Sequence, residues 1–285
     1  LNLAKKELNS HIKEIENSNV YDVAKVTPIS FLNKISSKYK NKIYLKREDL
    51  QPIFSFKCRG AYNKISNLSD DQKSRGIIAA SAGNHAQGVA MSASKLKISA
   101  VIVMPTTTPS IKIESVKKFG VEVLLFGDSF DEAYEHALKI SEEEKRIFIH
   151  PFNDPLVIAG QGTVAKEIVE QVENDPDIFF IPVGGGGLIS GMSLYLKQKY
   201  PNSKVFGVES EDAPTLYASM KNGKPTSLEQ VGLFVDGCAV KRIGDETFRI
   251  SNQYVDGVIL VSICLLYTSD AADDTPCVDL GGRRI

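Results

Sequence analysis

The sequence predicts an α/β fold of parallel sheets with helices on both faces, and three observations point to it. Strand-length apolar runs alternate with amphipathic stretches along most of the chain, the pattern of strand–helix–strand units. Those runs are too short to cross a bilayer, so they read as the core strands of a soluble protein and imply no membrane role. At 285 residues, 42% apolar and 24% charged, the chain exceeds the usual single-core size, which makes two lobes the expectation.

Taken in order, Leu8, Ile12 and Ile15 recur at helical spacing near the start. Strands are predicted at residues 43–45, 76–80, 100–104, 121–126, 147–149, 178–183 and 205–208, with a further strand-like run at 257–261. Helices are predicted at residues 59–67, 86–95, 111–119, 130–144, 160–171 and 188–199. No repeat, low-complexity tract or flexible linker interrupts this alternation before residue 264, so the lobes should pack closely. Residues 264–285 then lose all periodicity just after a strand-like run, and are expected to be a non-native tail. On that reading the strands around 205–208 and 258–261 are left without neighbours. The opening residues lack both an initiator methionine and the apolar core of a signal peptide, so the start is expected to be an interior cut.

Lysine plus arginine (34) nearly balances aspartate plus glutamate (35), and no basic stripe with interleaved aromatics appears, which argues against a nucleic-acid partner. Cys58, Cys238, Cys264 and Cys277 show neither metal-ligand spacing nor a disulfide framework, so a reducing cytoplasm is the expected location.

Chemistry concentrates in three places. Lys57 lies in Phe54-Ser55-Phe56-Lys57-Cys58-Arg59-Gly60, where apolar neighbours such as Phe54 and Phe56 would favour the neutral amine. Ser81-Ala82-Gly83-Asn84-His85 follows a predicted strand and opens a helix, a place suited to a carboxylate. Gly184-Gly185-Gly186-Gly187 likewise joins a strand to a helix beginning near Leu188; successive glycines let backbone N–H groups converge on an anion of phosphate size. An amine, a polar turn and a glycine nest together describe a site for an aldehyde cofactor that carries a phosphate. His85 is read as shaping its loop, Cys58 as packing beside the lysine, and Gln161, Gly162 and Thr163 as opening a helix and ordering the lobe junction.

These motifs resemble the fold-type II pyridoxal-phosphate enzymes, and within them the biosynthetic threonine dehydratases. The matching text is Tyr44-Leu45-Lys46-Arg47-Glu48-Asp49, Ser55-Phe56-Lys57 with Arg59-Gly60-Ala61-Tyr62, residues 81–88, Val103-Met104-Pro105, residues 158–163, the four glycines, Val231-Gly232-Leu233-Phe234 and residues 241–248. It runs from about residue 26 to about 263. The resemblance implies two three-layer parallel-sheet lobes with pyridoxal 5'-phosphate between them: a smaller lobe at residues 49–150 inserted in a larger, incomplete one at 1–48 and 151–263. Residues 162–171 and 188–200 then fall in a different lobe from 86–95. The resemblance also implies Lys57 as the Schiff-base lysine, Phe56 against one face of the cofactor ring, and Asn84 hydrogen-bonded to its 3-hydroxyl. Gly184, Gly185, Gly186, Gly187 and Leu188 would hold its phosphate, and Ser81, Ala82, Gly83, Asn84 and His85 the substrate carboxylate.

The implied activity is deamination of L-threonine to 2-oxobutanoate and ammonia, the first step of isoleucine biosynthesis. L-serine would be a secondary substrate, and the full-length protein a homo-oligomer. Ala82 stands where related serine racemases carry a serine, which favours elimination over racemisation. Thr215 stands where relatives with a divalent site near the Glu209 strand carry an acid, so no metal is expected. The family's later S-G-A-N segment and the C-terminal domain of the biosynthetic branch are not found, and the chain is expected to be a fragment. Two rivals remain: a related serine dehydratase or racemase, and a nucleotide-binding α/β protein in which the strand ending at Glu209 supplies a ribose-binding acid. The glycine spacing fits the second poorly.

Overall fold

The computed structural model describes residues 5–232 and 234–266. Helix α1 (Lys5–Glu16) carries Ile12 and Ile15 into the core, as their spacing predicts. Next come β1 (Ile29–Phe31), α2 (Asn33–Tyr39) and β2 (Tyr44–Lys46). The strand expected at 43–45 therefore pairs with β1 in an antiparallel ribbon, with Phe31 opposite Tyr44, and does not join a parallel sheet.

Seven elements then alternate after α3 (Lys57–Ser66) and α4 (Asp70–Arg75): β3 (Ile77–Ala80), α5 (Asn84–Leu96), β4 (Ala100–Met104), α6 (Ser110–Lys117), β5 (Glu122–Leu125), α7 (Phe130–Glu143) and β6 (Ile147–Phe148). The four strands are parallel in the order β5-β4-β3-β6. Every residue of β3 and β4 is buried, as expected of strands covered on both faces. Ile77, Ala79, Ile102 and Met104 pack with Ala61, Ile65, Ala86 and Val89 of α3 and α5, whereas Ile78, Ala80, Val101 and Val103 pack with Ala133 and Ala137 of α7. Capping boxes at Ser69/Gln72 and Ser129/Glu132 start α4 and α7. The chain leaves β3 through β4 to β5 and returns to β6 on the other side. The carboxyl ends of β3 and β6 therefore flank a topological switch point, where open α/β sheets bind ligands.

The second sheet takes β7 (Ile178–Pro182), β8 (Lys204–Ser210) and β9 (Gly257–Val261) in parallel order β7-β8-β9. Here the expectation for residues 205–208 fails: β8 is central, its Val208 opposite Pro182 on one side and Ile259 on the other. Connecting them are α8 (Pro155–Gln171), α9 (Gly187–Lys199), α10 (Thr215–Asn222) and α11 (Asp245–Tyr254). One face, with Phe179, Ile181 and Val205, is buried with residues of α1, α8, α9 and α11. On the other, Ile178, Phe180 and Ile259 are exposed.

Helix α8 begins five residues before the predicted position, because the Asp154 carboxylate accepts from the Leu156 and Val157 N–H groups and Pro155 needs no donor partner. Gln161, Gly162 and Thr163 thus lie inside the helix and do not open it. They do face the junction: the Gln161 Oε1 accepts from the Gly60 N–H, and a Cβ on Gly160 would meet the Arg59 carbonyl at 2.7 Å. A helical turn covers residues 263–266, across the expected tail boundary; the remainder of that tail, with Cys277, lies outside the described residues. No helix among the described residues is long and apolar enough to cross a membrane.

Candidate active site

Lys57 is the first residue of α3, and two features fix its backbone. Ser55 Oγ accepts from its N–H at 3.1 Å, and Gly88 of α5 presses so close that a Cβ there would meet the Lys57 carbonyl at 2.9 Å. Two residues on, the buried Arg59 guanidinium donates to Glu48 (2.8 Å) and Glu167 (2.6 Å), and Lys46 donates to the second oxygen of Glu167. This buried ion-pair network joins the start of α3 to α8. Each charge has a partner, which offsets the cost of burying it.

The Lys57 ammonium end donates to the Pro151 carbonyl at 3.1 Å and lies over the Phe56 ring, 5.6 Å from its centroid. Burial pulls its pKa down from 10.5 to about 8, opposed by Cys238, so the neutral amine, though the minor form, is far more accessible near neutral pH than on a free lysine. Phe54 takes no part in that burial: it is 76% exposed and has a left-handed backbone (φ 57°). Phe56 also packs against the larger hydrophobic cluster, so it is core as well as floor. Cys58 is buried beside the lysine, and burial pushes its thiol up to about 12, leaving it unreactive.

The glycine loop leaves β7 and enters α9. Its glycines lack side chains because other atoms occupy the space. A Cβ on Gly185 would meet the Phe152 ring at 2.2 Å, one on Gly186 (φ 90°) would meet Thr247 at 2.9 Å, and one on Gly187 would meet Phe152 at 3.0 Å. The carbonyls are tied back: Thr247 Oγ1 donates to Gly185 O at 2.7 Å and Thr215 Oγ1 to Gly184 O at 3.2 Å. No hydrogen bond among the described residues is donated by the N–H groups of Gly184, Gly185, Gly186, Gly187 or Leu188, although the middle three residues are buried. Buried donors without acceptors, at a helix N-terminus, are what an anion would satisfy. Phe152 follows Pro151 directly, so one loop touches both the lysine amine and the glycines.

After β3, Ser81 Oγ accepts from the Gly83 N–H at 3.2 Å, and Asn84 opens α5 with an exposed side chain. Ala82 and Gly83 are half-buried, and a Cβ on Gly83 would meet nothing within 4 Å. His85 points elsewhere: its buried Nε2 donates to the Ile149 carbonyl at 2.9 Å, and burial, aided by Lys57, lowers its pKa to about 3. A neutral, internally bonded ring shapes the loop as the sequence suggests; any ligand contact from His85 would come from its backbone.

Sequence reasoning gave no role to Phe152, Thr247 or Cys238, whose backbone lies against Gly184. Thr247 sits within the matched segment 241–248, but its target is 62 residues away, and nothing local marks it. Glu209 is buried, and its oxygens accept from Thr215 Oγ1 and the Leu216 and Tyr217 N–H groups, capping α10. That carboxylate is committed and does not present itself to a ribose, which removes the support for a dinucleotide site. Elsewhere Glu7, His11 and Glu246 bring ligand atoms within 4.8 Å of one another, but Arg249 donates to both carboxylates.

A depressed-pKa lysine and an unbonded glycine nest, linked by one loop between two parallel sheets, make a candidate site for a phosphorylated aldehyde cofactor. The chain belongs to the pyridoxal-phosphate dependent enzymes: the family profile of that description matches residues 20–263. Among curated relatives it is 55% identical to "L-threonine dehydratase biosynthetic IlvA" of Pasteurella multocida, over 88% of this chain and 49% of the relative. It is also 52% identical to "Threonine dehydratase biosynthetic, chloroplastic" of Arabidopsis thaliana, over 90% of this chain and 43% of the relative. The chain thus spans about half the length of the curated relatives it matches. Its fold superposes on the processed form of threonine deaminase isoform 2 from Solanum lycopersicum with a TM-score of 0.93 at 45% identity, covering 96% of this chain and 80% of that one. Maize serine racemase superposes with a TM-score of 0.87 at 32% identity, covering 91% and 79%.

Proposed function

We propose that this chain carries the catalytic site of a pyridoxal-phosphate-dependent ammonia-lyase that converts L-threonine to 2-oxobutanoate and ammonia, with L-serine as a secondary substrate. Such a reaction would be the first step of isoleucine synthesis. The observation that carries the reading is the Lys57 amine, held at the Pro151 carbonyl with its pKa near 8 beside an unbonded glycine nest.

Bound pyridoxal phosphate supplies a carbonyl that condenses with amines and a ring that accepts charge developing at the substrate Cα. The chain's own residues do the rest. N–H groups of residues 184–188 take the phosphate, with the α9 N-terminus adding a favourable dipole. The first turn of α5, with Ser81, Ala82, Gly83 and Asn84, receives the substrate carboxylate. Lys57 Nζ removes the Cα proton; its burial keeps the neutral form accessible, and the Pro151 carbonyl aims it. Ala82 offers no second acid or base, and His85 is neutral and committed to Ile149, which supports elimination over racemisation. Division into a smaller lobe at 49–150 and a larger one at 1–48 and 151–263 is part of this reading; each contains one of the two parallel sheets. A reducing, cytoplasmic setting fits the Cys58 and Cys238 thiols.

Borohydride reduction of the loaded protein followed by peptide mapping should place the modification on Lys57, and Lys57→Ala should lower turnover by about a thousandfold or more. L-serine recovered during turnover should keep its chirality. A label on another lysine overturns the assignment of Lys57, and racemisation keeping pace with ammonia release overturns the lyase reading.

A further inference from the structure

The loop from β6 to α8 touches Lys57, the glycine loop and, through the Ile149 carbonyl, His85. Its Pro151 carbonyl accepts from Lys57, and its Phe152 ring fills the space beside Gly185 and Gly187. Asn153 Oδ1 accepts from the Glu246 N–H at the start of α11, while Asp154 caps α8 and pairs with Lys64 of α3 at 2.7 Å. The loop's own backbone does not explain how it keeps this shape. Neither the Phe152 nor the Asn153 N–H reaches a backbone carbonyl; both go to one acceptor, His150 Nδ1, at 3.3 and 2.9 Å. The ring is further held edge-on to Phe152, with centroids 4.7 Å apart and an 86° angle between planes.

We propose that His150 is a positioning residue of this site: by accepting from the Phe152 and Asn153 N–H groups, its neutral ring holds the loop in the shape that ties the Lys57 amine to the back of the glycine loop. An acceptor at Nδ1 requires the ring proton on Nε2, and a doubly protonated ring would set an N–H against two N–H donors. Three charged or titratable groups bear on it: Asp154 from its own loop, Lys57 from α3 and His85 from α5. Burial is the largest influence, and with Lys57 it outweighs Asp154 and lowers the ring's pKa to about 4. The clamp is therefore intact across the neutral range. Only its effect on turnover rests on the lyase reading; the order of the loop is read separately.

The test uses His150→Leu, which removes the acceptor, and His150→Asn, whose Oδ1 occupies the position of Nδ1 in the bonding sequence and does not titrate. Amide hydrogen exchange by mass spectrometry at pH 7.5 should show protection of the peptide covering residues 150–156 about tenfold lower in the leucine variant, and within about threefold of the parent in the asparagine variant. Protection of β4 should be unchanged in both. Nitrogen NMR of the parent ring should show Nδ1 unprotonated and Nε2 protonated. Turnover should fall about tenfold in the leucine variant and recover in the asparagine variant. If leucine leaves the peptide protected, or if asparagine costs as much protection as leucine, the assignment is overturned. Should leucine unfold the whole chain, the asparagine variant decides: parent-like protection supports the clamp, and lost protection overturns it.

Discussion

Two loops in this chain have the same topology, from the end of a parallel strand to the start of a helix, and are built in opposite ways. After β7, the glycine loop is wedged: Phe152 and Thr247 crowd the Cβ positions of Gly185, Gly186 and Gly187, and two threonine hydroxyls hold its carbonyls. After β3, the 81–85 loop is open: a Cβ on Gly83 would touch nothing, Asn84 is exposed, and the turn is shaped by a local Ser81–Gly83 bond and the inward His85. A wedged loop is preformed and suits an unvarying group, as the proposed phosphate would be, with little ordering cost. An open one can adjust to a substrate that enters and leaves.

The sharpest way to break this contrast is to place the same methyl group in both loops. Gly185→Ala must displace the Phe152 ring and, through it, the Pro151–Lys57 contact. We expect a loss of about 3 kcal/mol or more in urea unfolding and at least a hundredfold weaker cofactor binding, measured by absorbance titration. Thr247→Val removes the hydroxyl that donates to Gly185 O, leaving that carbonyl half-satisfied; stability should fall by about 1–3 kcal/mol and cofactor affinity about tenfold. Parent-like behaviour of either variant would show that the glycine loop is not preformed by its packing.

Acid should loosen the β6–α8 loop, because His85, bonded to Ile149, and His150 both have folded pKa values below the unfolded value of 6.5, about 3 and about 4, with burial as the main cause. The native state therefore resists protonating them. Their contribution is complete above about pH 6.5 and declines as pH falls toward 4, by up to about 1.4 kcal/mol per pH unit for each ring. Unfolding midpoints measured from pH 8 to pH 4 should show a plateau and then this decline, with a shallower acid limb in His150→Asn. The smallest effect belongs to Gly83→Ala, where the methyl meets open space: stability within about 0.5 kcal/mol and cofactor affinity within about threefold of the parent. A collapse there would erase the distinction between the loops.

Much of this was legible in the chain because the signals are local. The fully buried strands β3 and β4 announce themselves as unbroken apolar runs, and the glycine run between a strand and a helix marks a candidate anion site whatever the fold around it. Lys57 stood out through its neighbours, although one of the two credited neighbours was the wrong one: Phe54 faces solvent while Phe56 lies under the amine. Short elements such as β1, α2 and α10 escaped because the partners that hold them lie outside the element, where its own periodicity gives no sign of them. Helix α10, for example, is capped by the side chain of Glu209 from β8.

The sequence by itself determined the alternating parallel architecture, the lysine, the polar turn and the phosphate-sized nest, since periodicity, capping and glycine's freedom act within a few residues. Tertiary structure alone decided how those parts become one site. Lys57 meets Pro151 across 94 residues and Thr247 meets Gly185 across 62, and these contacts set which groups are buried, neutral or already satisfied. Burial and hydrogen-bond saturation are properties of the packed neighbourhood, so the inward His85, whose partner Ile149 lies 64 residues away, and the burial that keeps His150 neutral appear only in the folded chain.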